Sequence, residues 1–284
     1  MNAINEQLTL LANSSQRPVN ELSRQHIMEG VLRRLSASTQ AVSFVLRGGM
    51  LVRIWAGPER RVAEDLDFVA LYPFDVEQTV ARLRSILRND SEFNDGVRFD
   101  ADSLTGEATW QETEFPGVRV RGDASIEGRK HSFKIDCGFG DPLVPPAVWS
   151  GYPALLPSIA AARVLACRAE SAIGWKLHGL VELGARRWRP KDLYDLFLLS
   201  DYPSLVEADL IGAIRVAFIS RATPLGAALE MFDSTGWWQS DRSLRKWTDF
   251  QQTVAQGSLP DLAQVTARVN KTFAPLVQRC LDAS

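Results

Sequence analysis

Apolar residues recur at helical spacing in two parts of the chain. In the N-terminal half this spacing predicts helices over Ile4–Leu11, Val19–Leu35, Met50–Trp55 and Val76–Leu87. After Arg168 the same spacing continues with few interruptions. The helices predicted there are Glu170–Leu183, Pro190–Leu199, Glu207–Ile219, Leu244–Gln256 and Pro260–Leu281. The C-terminal half is therefore predicted to be all-helical.

Strand patterns lie between the predicted N-terminal helices. The run VSFVL predicts a buried strand, Ser43–Arg47, that ends at a glycine pair, and EDLDFVALY predicts a second strand. Residues 97–137 alternate with a period of two, most clearly in VRVRG and FKIDC, which predicts a meander of antiparallel strands. The proline-rich segment from Pro142 is expected to be a surface crossing between the halves. The fold class predicted is α+β, a mixed sheet with flanking helices followed by a helical lobe, divided at residues 1–150 and 151–284.

Composition places the chain among ordinary globular proteins. Of its 284 residues, 45% are apolar and 23% are charged, and the net charge is −2. This charge argues against a surface covered in cations for nucleic acid, although it does not exclude a local basic groove. The start of the chain has no secretory-signal pattern, and the longest uncharged run is interrupted by prolines, so no membrane span is expected. The few, widely spaced cysteines Cys137, Cys167 and Cys280 suggest a reducing cytoplasm.

Two aspartates with one leucine between them lead into the second strand. Because side chains alternate along a strand, Asp65 and Asp67 are expected to point together, while Leu66 and Phe68 point into the core. Carboxylates about 6–7 Å apart along a strand can reach one cation, and without it they would repel each other. Magnesium favours a few carboxylates together with substrate phosphates. The pair therefore indicates a metal site, although a solvated strand end with no ligand has the same pattern.

A glycine pair and a third aspartate are candidate partners of this pair. Gly48 and Gly49 separate a strand from a helix, where backbone amides can approach an anion, although a tight turn has the same signature. Asp136 ends the strand of FKIDCGFGD. If that strand neighbours the strand of Asp67, three carboxylates converge, which suits phosphoryl transfer. A cap of the GFGD turn is the alternative role for Asp136.

The order of these motifs resembles that of a known family. The series GG, R-x-x-E-D-L-D-F, KIDCGFGD, E-x-x-x-x-x-K and KDLYDL is similar to the AbiEii/AbiGii nucleotidyltransferase toxins, whose relatives include the MenT toxins. These belong to the wider polymerase-β-like nucleotidyltransferase superfamily. The similarity runs from about Val42 through Leu199, and it continues more weakly to the segment around Trp247. It implies a nucleotidyltransferase core in residues 1–150 and a helical domain in residues 151–284 that completes an active-site cleft.

The resemblance implies roles for individual residues. Asp65, Asp67 and Asp136 would hold Mg²⁺ or Mn²⁺, and the nucleoside triphosphate would be the co-substrate. The nucleotide would be bound by Gly48, Gly49, Arg61 and Lys176. In the helical domain Glu170 and Lys176 match the E…K element, and Asp192 would orient the lysine. From the residues alone, Lys176 could be a solvated helix lysine, and Asp192 and Asp195 could be carboxylates at a helix N-terminus.

Two positions depart from the family pattern. Met50 stands where the family commonly has serine or threonine after the glycines, so the loop must rely on its backbone amides and cannot be phosphorylated there. Ala63 stands where a small polar residue often precedes the E-D-L-D element. The lost hydroxyls could weaken nucleotide affinity. They remove no metal ligand, so activity is still expected.

The segment ARRWRPK is a candidate surface for the acceptor. Its cations suit phosphates and its tryptophan suits stacking on a base, although an ordinary charged loop between helices has the same composition. The candidate RNA-binding residues are Arg186, Arg187, Trp188, Arg189 and Lys191. Trp237 and Trp238 are expected to pack or to form a partner surface instead. The resemblance points to transfer RNA as the acceptor, extended at its 3′ end so that translation stops.

The sequence thus predicts a cytoplasmic, magnesium-dependent nucleotidyltransferase, the toxin of a toxin–antitoxin or phage-defence pair with its antitoxin encoded by an adjacent gene. Other enzyme classes lack their motifs: the histidines His26, His131 and His178 are scattered, and neither a G-x-S-x-G elbow nor a complete dinucleotide fingerprint occurs. Two alternatives stay open. One is a nucleotidyltransferase that modifies a small hydroxylated molecule, as antibiotic-modifying relatives do. The other is a catalytically silent nucleotide-binding protein.

Overall fold

The chain forms two units in the computed structural model, which describes residues 3–57, 63–88, 93–233, 235–253 and 259–282. The first unit comprises Met1–Ile54, Val62–Asp141 and Val148–Ala166, and the second comprises Trp55–Arg61, Pro142–Ala147 and Cys167–Ser284. Within the described residues, no helix is long and apolar enough to cross a membrane.

A mixed sheet of seven strands forms the centre of the first unit. The strands are Phe44–Arg47 (β1), Leu66–Ala70 (β2), Val97–Thr109 (β3), Gly117–Ile126 (β4), Arg129–Phe139 (β5), Val148–Tyr152 (β6) and Ala162–Ala166 (β7). Their order in the sheet is β3-β4-β5-β2-β1-β7-β6. Strands β2 and β5 are parallel, as are β1 and β7, whereas the other neighbours are antiparallel. The parallel pairing of β2 and β5 brings two strands that are distant in sequence side by side.

The helices associated with the first unit are Ile4–Ser15 (α1), Val19–Ser36 (α2), Gly49–Ala56 (α3) and Val76–Leu87 (α4). Helix α2 is buried along most of its length, and its buried charged side chains form ion pairs inside the unit. Arg33 and Arg34 both form ion pairs with the buried Asp95, at 2.9 and 3.0 Å. Asp75 caps the N-terminus of α4, and its side chain accepts a hydrogen bond from the Gln78 amide at 2.8 Å.

The second unit is helical. Its helices are Ala169–Arg187 (α5), Pro190–Leu199 (α6), Glu207–Ile219 (α7), Gly226–Asp233 (α8), Thr235–Trp238 (α9), Asp241–Thr253 (α10) and Leu262–Asp282 (α11). Helices α5 and α7 pack closely, because a Cβ on Gly174 would lie only 2.7 Å from the Ala213 carbonyl oxygen. Trp188, Phe218 and Trp247 are buried within this unit.

The α+β class predicted from the sequence is confirmed, and so is the antiparallel meander of β3, β4 and β5. The expectation of a surface crossing throughout the proline-rich segment is wrong for Val148–Tyr152, which pairs with β7 as the last strand of the sheet. Residue 150 therefore lies inside a strand, and the first unit continues to Ala166. Helices α8 and α9 were also missed, and α9 has only four residues, too few for a periodic pattern.

Candidate active site

Three carboxylates converge on one face of the sheet in the first unit. The parallel register of β2 and β5 places Asp67 directly beside Asp136, and Asp65 lies one residue before β2. One ligand oxygen from each of the three side chains lies within 4.8 Å of the others. Among the described residues, this is the one group of three or more histidine, cysteine, aspartate or glutamate side chains that close together. The convergence expected from the sequence is confirmed.

Gly48 brings the backbone against this group. Its φ of +75° is a left-handed conformation that favours glycine, and a Cβ atom there would lie 2.1 Å from Oδ2 of Asp67. The next residue, Gly49, begins α3, so the turn leads directly into a helix N-terminus. The side chain of Met50 is buried in the core, where its sulfur accepts a hydrogen bond from the Tyr152 hydroxyl at 3.5 Å. The prediction for Arg61 lies outside the described residues.

Two cationic side chains contact the carboxylates, and neither was predicted from the sequence to be part of the site. Arg119 donates two hydrogen bonds to Asp136, at 2.8 and 3.0 Å, and these raise the pKa of Arg119. Lys134 Nζ lies 2.8 Å from Oδ2 of Asp65 and 4.0 Å from Oδ2 of Asp136. The signal was present in the alternation of VRVRG and FKIDC, because it puts both cations on the face that carries Asp136. They offset part of the charge of the carboxylate group.

The carboxylates are suitable ligands for a hard divalent cation. All three are half-buried, with side chains of Asp65 and Asp136 that are 21% and 26% exposed, so an ion can reach them from solvent. Their ligand atoms are oxygens, which Mg²⁺ and Mn²⁺ prefer. Each carboxylate oxygen has two lone pairs, so an ion pair with Arg119 or Lys134 leaves acceptor capacity for a metal. The residues therefore fit the metal that the sequence predicts.

Lys176 lies in a buried ion-pair cluster of the second unit. Its Nζ is 3.1 Å from Oδ1 of Asp192 and 2.7 Å from Oδ2 of Asp195. Burial by itself raises the pKa of Asp192, but the charges of Lys176 and Arg189 outweigh burial and hold that pKa below its ordinary value. Both carboxylates project from α6, three residues apart, so they share one helix face. Asp192 thus contacts the lysine that it was expected to orient, and Asp195 is a second partner.

Glu170 has a different environment from Lys176. Its Oε1 accepts hydrogen bonds from Arg168 and from the backbone amide of Val206, each at 2.9 Å. Val206 is the residue before α7, so the buried carboxylate joins the start of α5 to the start of α7. These contacts describe a structural role for Glu170.

The candidate RNA-binding segment is only partly at the surface. Arg186, Arg187 and Arg189 are exposed and Lys191 is half-buried, but Trp188 is 1% exposed. The Trp188 indole donates to the Ser243 hydroxyl at 3.2 Å, and its ring meets Trp238 edge-on, with centroids 5.4 Å apart. A base cannot stack on a ring that core residues already cover, so the stacking role expected for Trp188 is wrong. The packing role expected for Trp238 is confirmed.

Comparisons with known proteins identify a family and two similar folds. Residues 30–276 match the protein family described as nucleotidyl transferase AbiEii toxin, type IV toxin–antitoxin system. A search of curated proteins found no match. Two crystal structures from Helicobacter pylori are similar in fold, each with a TM-score of 0.52 over 93% of this chain. One carries a provisional description as a nucleotidyltransferase, with 14% identity over 97% of its length, and the other, JHP933, is 15% identical over 94% of its length.

Proposed function

This chain belongs to the AbiEii nucleotidyltransferase toxin family, and from that premise we propose that it transfers a nucleotide from a nucleoside triphosphate to an RNA. The proposed acceptor is the 3′ end of transfer RNA in the cytoplasm, and its modification would stop translation. The observation that carries the proposal is the group of three carboxylates held side by side by β2 and β5. Transfer of a nucleotidyl group from a triphosphate to a hydroxyl needs such a group to bind the metal that accompanies the triphosphate.

The proposed ligands are Asp65, Asp67 and Asp136, and a bound Mg²⁺ would supply positive charge to the phosphates and to the leaving group. The acceptor hydroxyl attacks the α-phosphorus in line: a new O–P bond forms, the bond to the β-phosphate oxygen breaks, and pyrophosphate leaves. The hydroxyl proton passes to a carboxylate, for which Asp136 is the candidate. The two hydrogen bonds from Arg119 hold that carboxylate in a fixed orientation.

The triphosphate needs cations and amide donors as well as metal ligands. The proposed donors in the first unit are the backbone amides at Gly48 and Gly49, where the positive end of α3 favours an anion. Lys176 is the proposed phosphate contact from the second unit, and Asp192 and Asp195 hold its ammonium group in place. Type IV toxin–antitoxin membership supports a cognate antitoxin, which we propose is encoded by an adjacent gene in a phage-defence pair.

The experiment supplies the purified chain with Mg²⁺, each of four nucleoside triphosphates labelled at the α-phosphate, and a mixture of total RNA and small-metabolite extract as acceptors. Label on transfer RNA, removed by trimming the 3′ end, is the expected result. Label only on a small metabolite would replace the RNA acceptor with a small hydroxylated molecule. Nucleotide binding with no label transferred to any acceptor would identify a silent binding protein and refute the proposal.

A further inference from the structure

A polar groove adjoins the carboxylate group along β5 and beside α2 in the first unit. One part is a cleft of about 380 Å³ that includes Lys134, the residue whose ammonium group contacts Asp65. The second part is a cleft of about 430 Å³ that shares Arg24 and Ser132 with the first. The shared residues make the two clefts one surface. Its cationic side chains, which define the basic groove, are Arg24, Arg121, Arg129, Lys130 and Lys134.

The charge of this surface differs from that of the chain as a whole. The basic groove has five cations, of which Arg121 pairs with Glu107 and Lys134 pairs with Asp65. The carboxylates lining the two clefts are Glu64 and Asp123. The complete chain has a net charge of −2. Arg24, Arg129 and Lys130 are exposed, and none of them has a carboxylate partner among the described residues. A local excess of unneutralised cations attracts phosphates even when the total charge is negative.

The length of the groove indicates that its ligand is a polymer and not a single nucleotide. Lys130, Lys134 and Asp136 all lie on β5 at even positions, so their side chains emerge on the same face of the sheet. The six residue steps from Lys130 to Asp136 span about 20 Å of extended strand. A triphosphate is shorter than this distance. Several nucleotides of a sugar–phosphate backbone can follow it with their terminal hydroxyl at the carboxylate end.

We propose that the basic groove binds the sugar–phosphate backbone of the RNA acceptor and leads its 3′ end to Asp65, Asp67 and Asp136. This inference rests on the proposed function for the identity of the polymer. The groove and the carboxylate group meet at Lys134, which belongs to both. Binding here releases counterions from the phosphates and requires no aromatic stacking surface. It also assigns the acceptor to residues of the first unit, in place of the segment around the buried Trp188.

The test compares two triple variants that remove the same charge. The groove variant is Arg24→Gln, Arg129→Gln, Lys130→Gln, and its control is Arg242→Gln, Arg245→Gln, Lys271→Gln, at exposed positions of the second unit. Binding of fluorescently labelled transfer RNA is measured in EDTA, without turnover, across a range of salt concentrations. In the groove variant the slope of log K against log salt should be shallower by about 2, with affinity lower by about 10- to 100-fold at 0.1 M salt. The control should bind as the wild type does.

Parallel measurements separate the other outcomes. Circular dichroism and thermal unfolding verify that both triple variants are folded. The affinity for a magnesium–nucleotide should be unchanged in the groove variant. If this affinity fell as much as the affinity for RNA, the groove would be a triphosphate-binding site and the proposal would be overturned. Unchanged RNA affinity, or an equal loss in the control, would also overturn it. RNA binding is measured without turnover, so it can be compared even if the wild type transfers no nucleotide. That result would refute the proposed function, while the comparison of RNA affinities would still show whether the basic groove binds RNA.

Discussion

A Cβ atom on Gly48 would lie 2.1 Å from Oδ2 of Asp67, so the carboxylate occupies space that any other residue at position 48 would fill. The positive φ of Gly48 is a second reason for glycine. The register of β1 and β2 puts Arg47 directly opposite Asp67, so the turn follows at once and its backbone meets the carboxylate. Glycine at position 48 is therefore required for the carboxylates to adopt their positions, whether or not its backbone also contacts a phosphate.

Replacing Gly48 with alanine should damage the site more than a matched change elsewhere. Gly128 has a similar φ of +87°, but a Cβ there would meet nothing within 4 Å. Gly128→Ala should cost about 1–2 kcal/mol of unfolding free energy from backbone strain alone. Gly48→Ala should cost more and should also weaken Mn²⁺ binding, because the carboxylate must move. Urea unfolding and Mn²⁺ titration of the two variants test this, and equal effects would contradict it.

The Lys176 cluster gives a prediction for stability. The Asp195 side chain is fully buried and Lys176 is 12% exposed, so removing the carboxylate leaves a charge with less compensation in a buried setting. Asp195→Ala should lower the unfolding free energy by about 3–5 kcal/mol. The control is Glu207→Ala, which removes an ion pair with Arg279 whose side chains are 61% and 48% exposed and should cost about 1 kcal/mol or less. Urea unfolding measures both variants. Equal losses of unfolding free energy would show that the buried ion pair does not stabilise the protein more than the exposed one.

Stability should also depend on pH through His26. This side chain is buried, with Nε2 2.7 Å from the Asp95 carbonyl oxygen, and burial lowers the pKa of His26 more than that hydrogen bond raises it. Below the unfolded pKa of about 6.5 the unfolded chain binds more protons than the native one. The unfolding free energy should therefore fall by up to about 1.4 kcal/mol per pH unit as the pH drops below that value.

Replacing the imidazole isolates this contribution. His26→Gln keeps a donor for the Asp95 carbonyl but does not titrate. Urea unfolding at pH 7.5 and pH 5.5 should show a smaller loss of stability on acidification in the variant than in the wild type. The same loss in both proteins would show that His26 does not cause it.

Local patterns predicted the elements of the site better than its assembly. The single-residue spacing of Asp65 and Asp67 and the alternation around Asp136 were sufficient to place each carboxylate on a strand face. That β2 and β5 are parallel neighbours depends on pairing across 60 or more residues of sequence, for which no local signal exists. The sequence therefore predicted convergence of the three carboxylates only on the condition that the two strands are neighbours, and the strand order of the structure shows that they are.

Two other features could not be found from the pattern. Strand β6 is a short edge strand in which only Tyr152 is buried, so the segment shows no alternation of apolar and polar residues. Trp188 lies among four cations in the sequence, where the composition suggests a surface. Its burial comes from α9 and α10, which supply Trp238 and Ser243 far along the chain. In both cases tertiary packing overrides the local sequence.

The most direct test of the central claim compares Asp67→Asn with the wild type in transfer of labelled nucleotide to RNA at saturating Mg²⁺. The substitution keeps the size of the side chain and removes its charge, and Asp102→Asn, at a side chain that is 80% exposed on β3, is the matched control. We expect Asp67→Asn to remain folded and to transfer at a rate reduced by at least about 10²-fold, while Asp102→Asn transfers as the wild type does. A folded Asp67→Asn protein that transfers nucleotide at the wild-type rate would contradict the assignment of this carboxylate group as the active site.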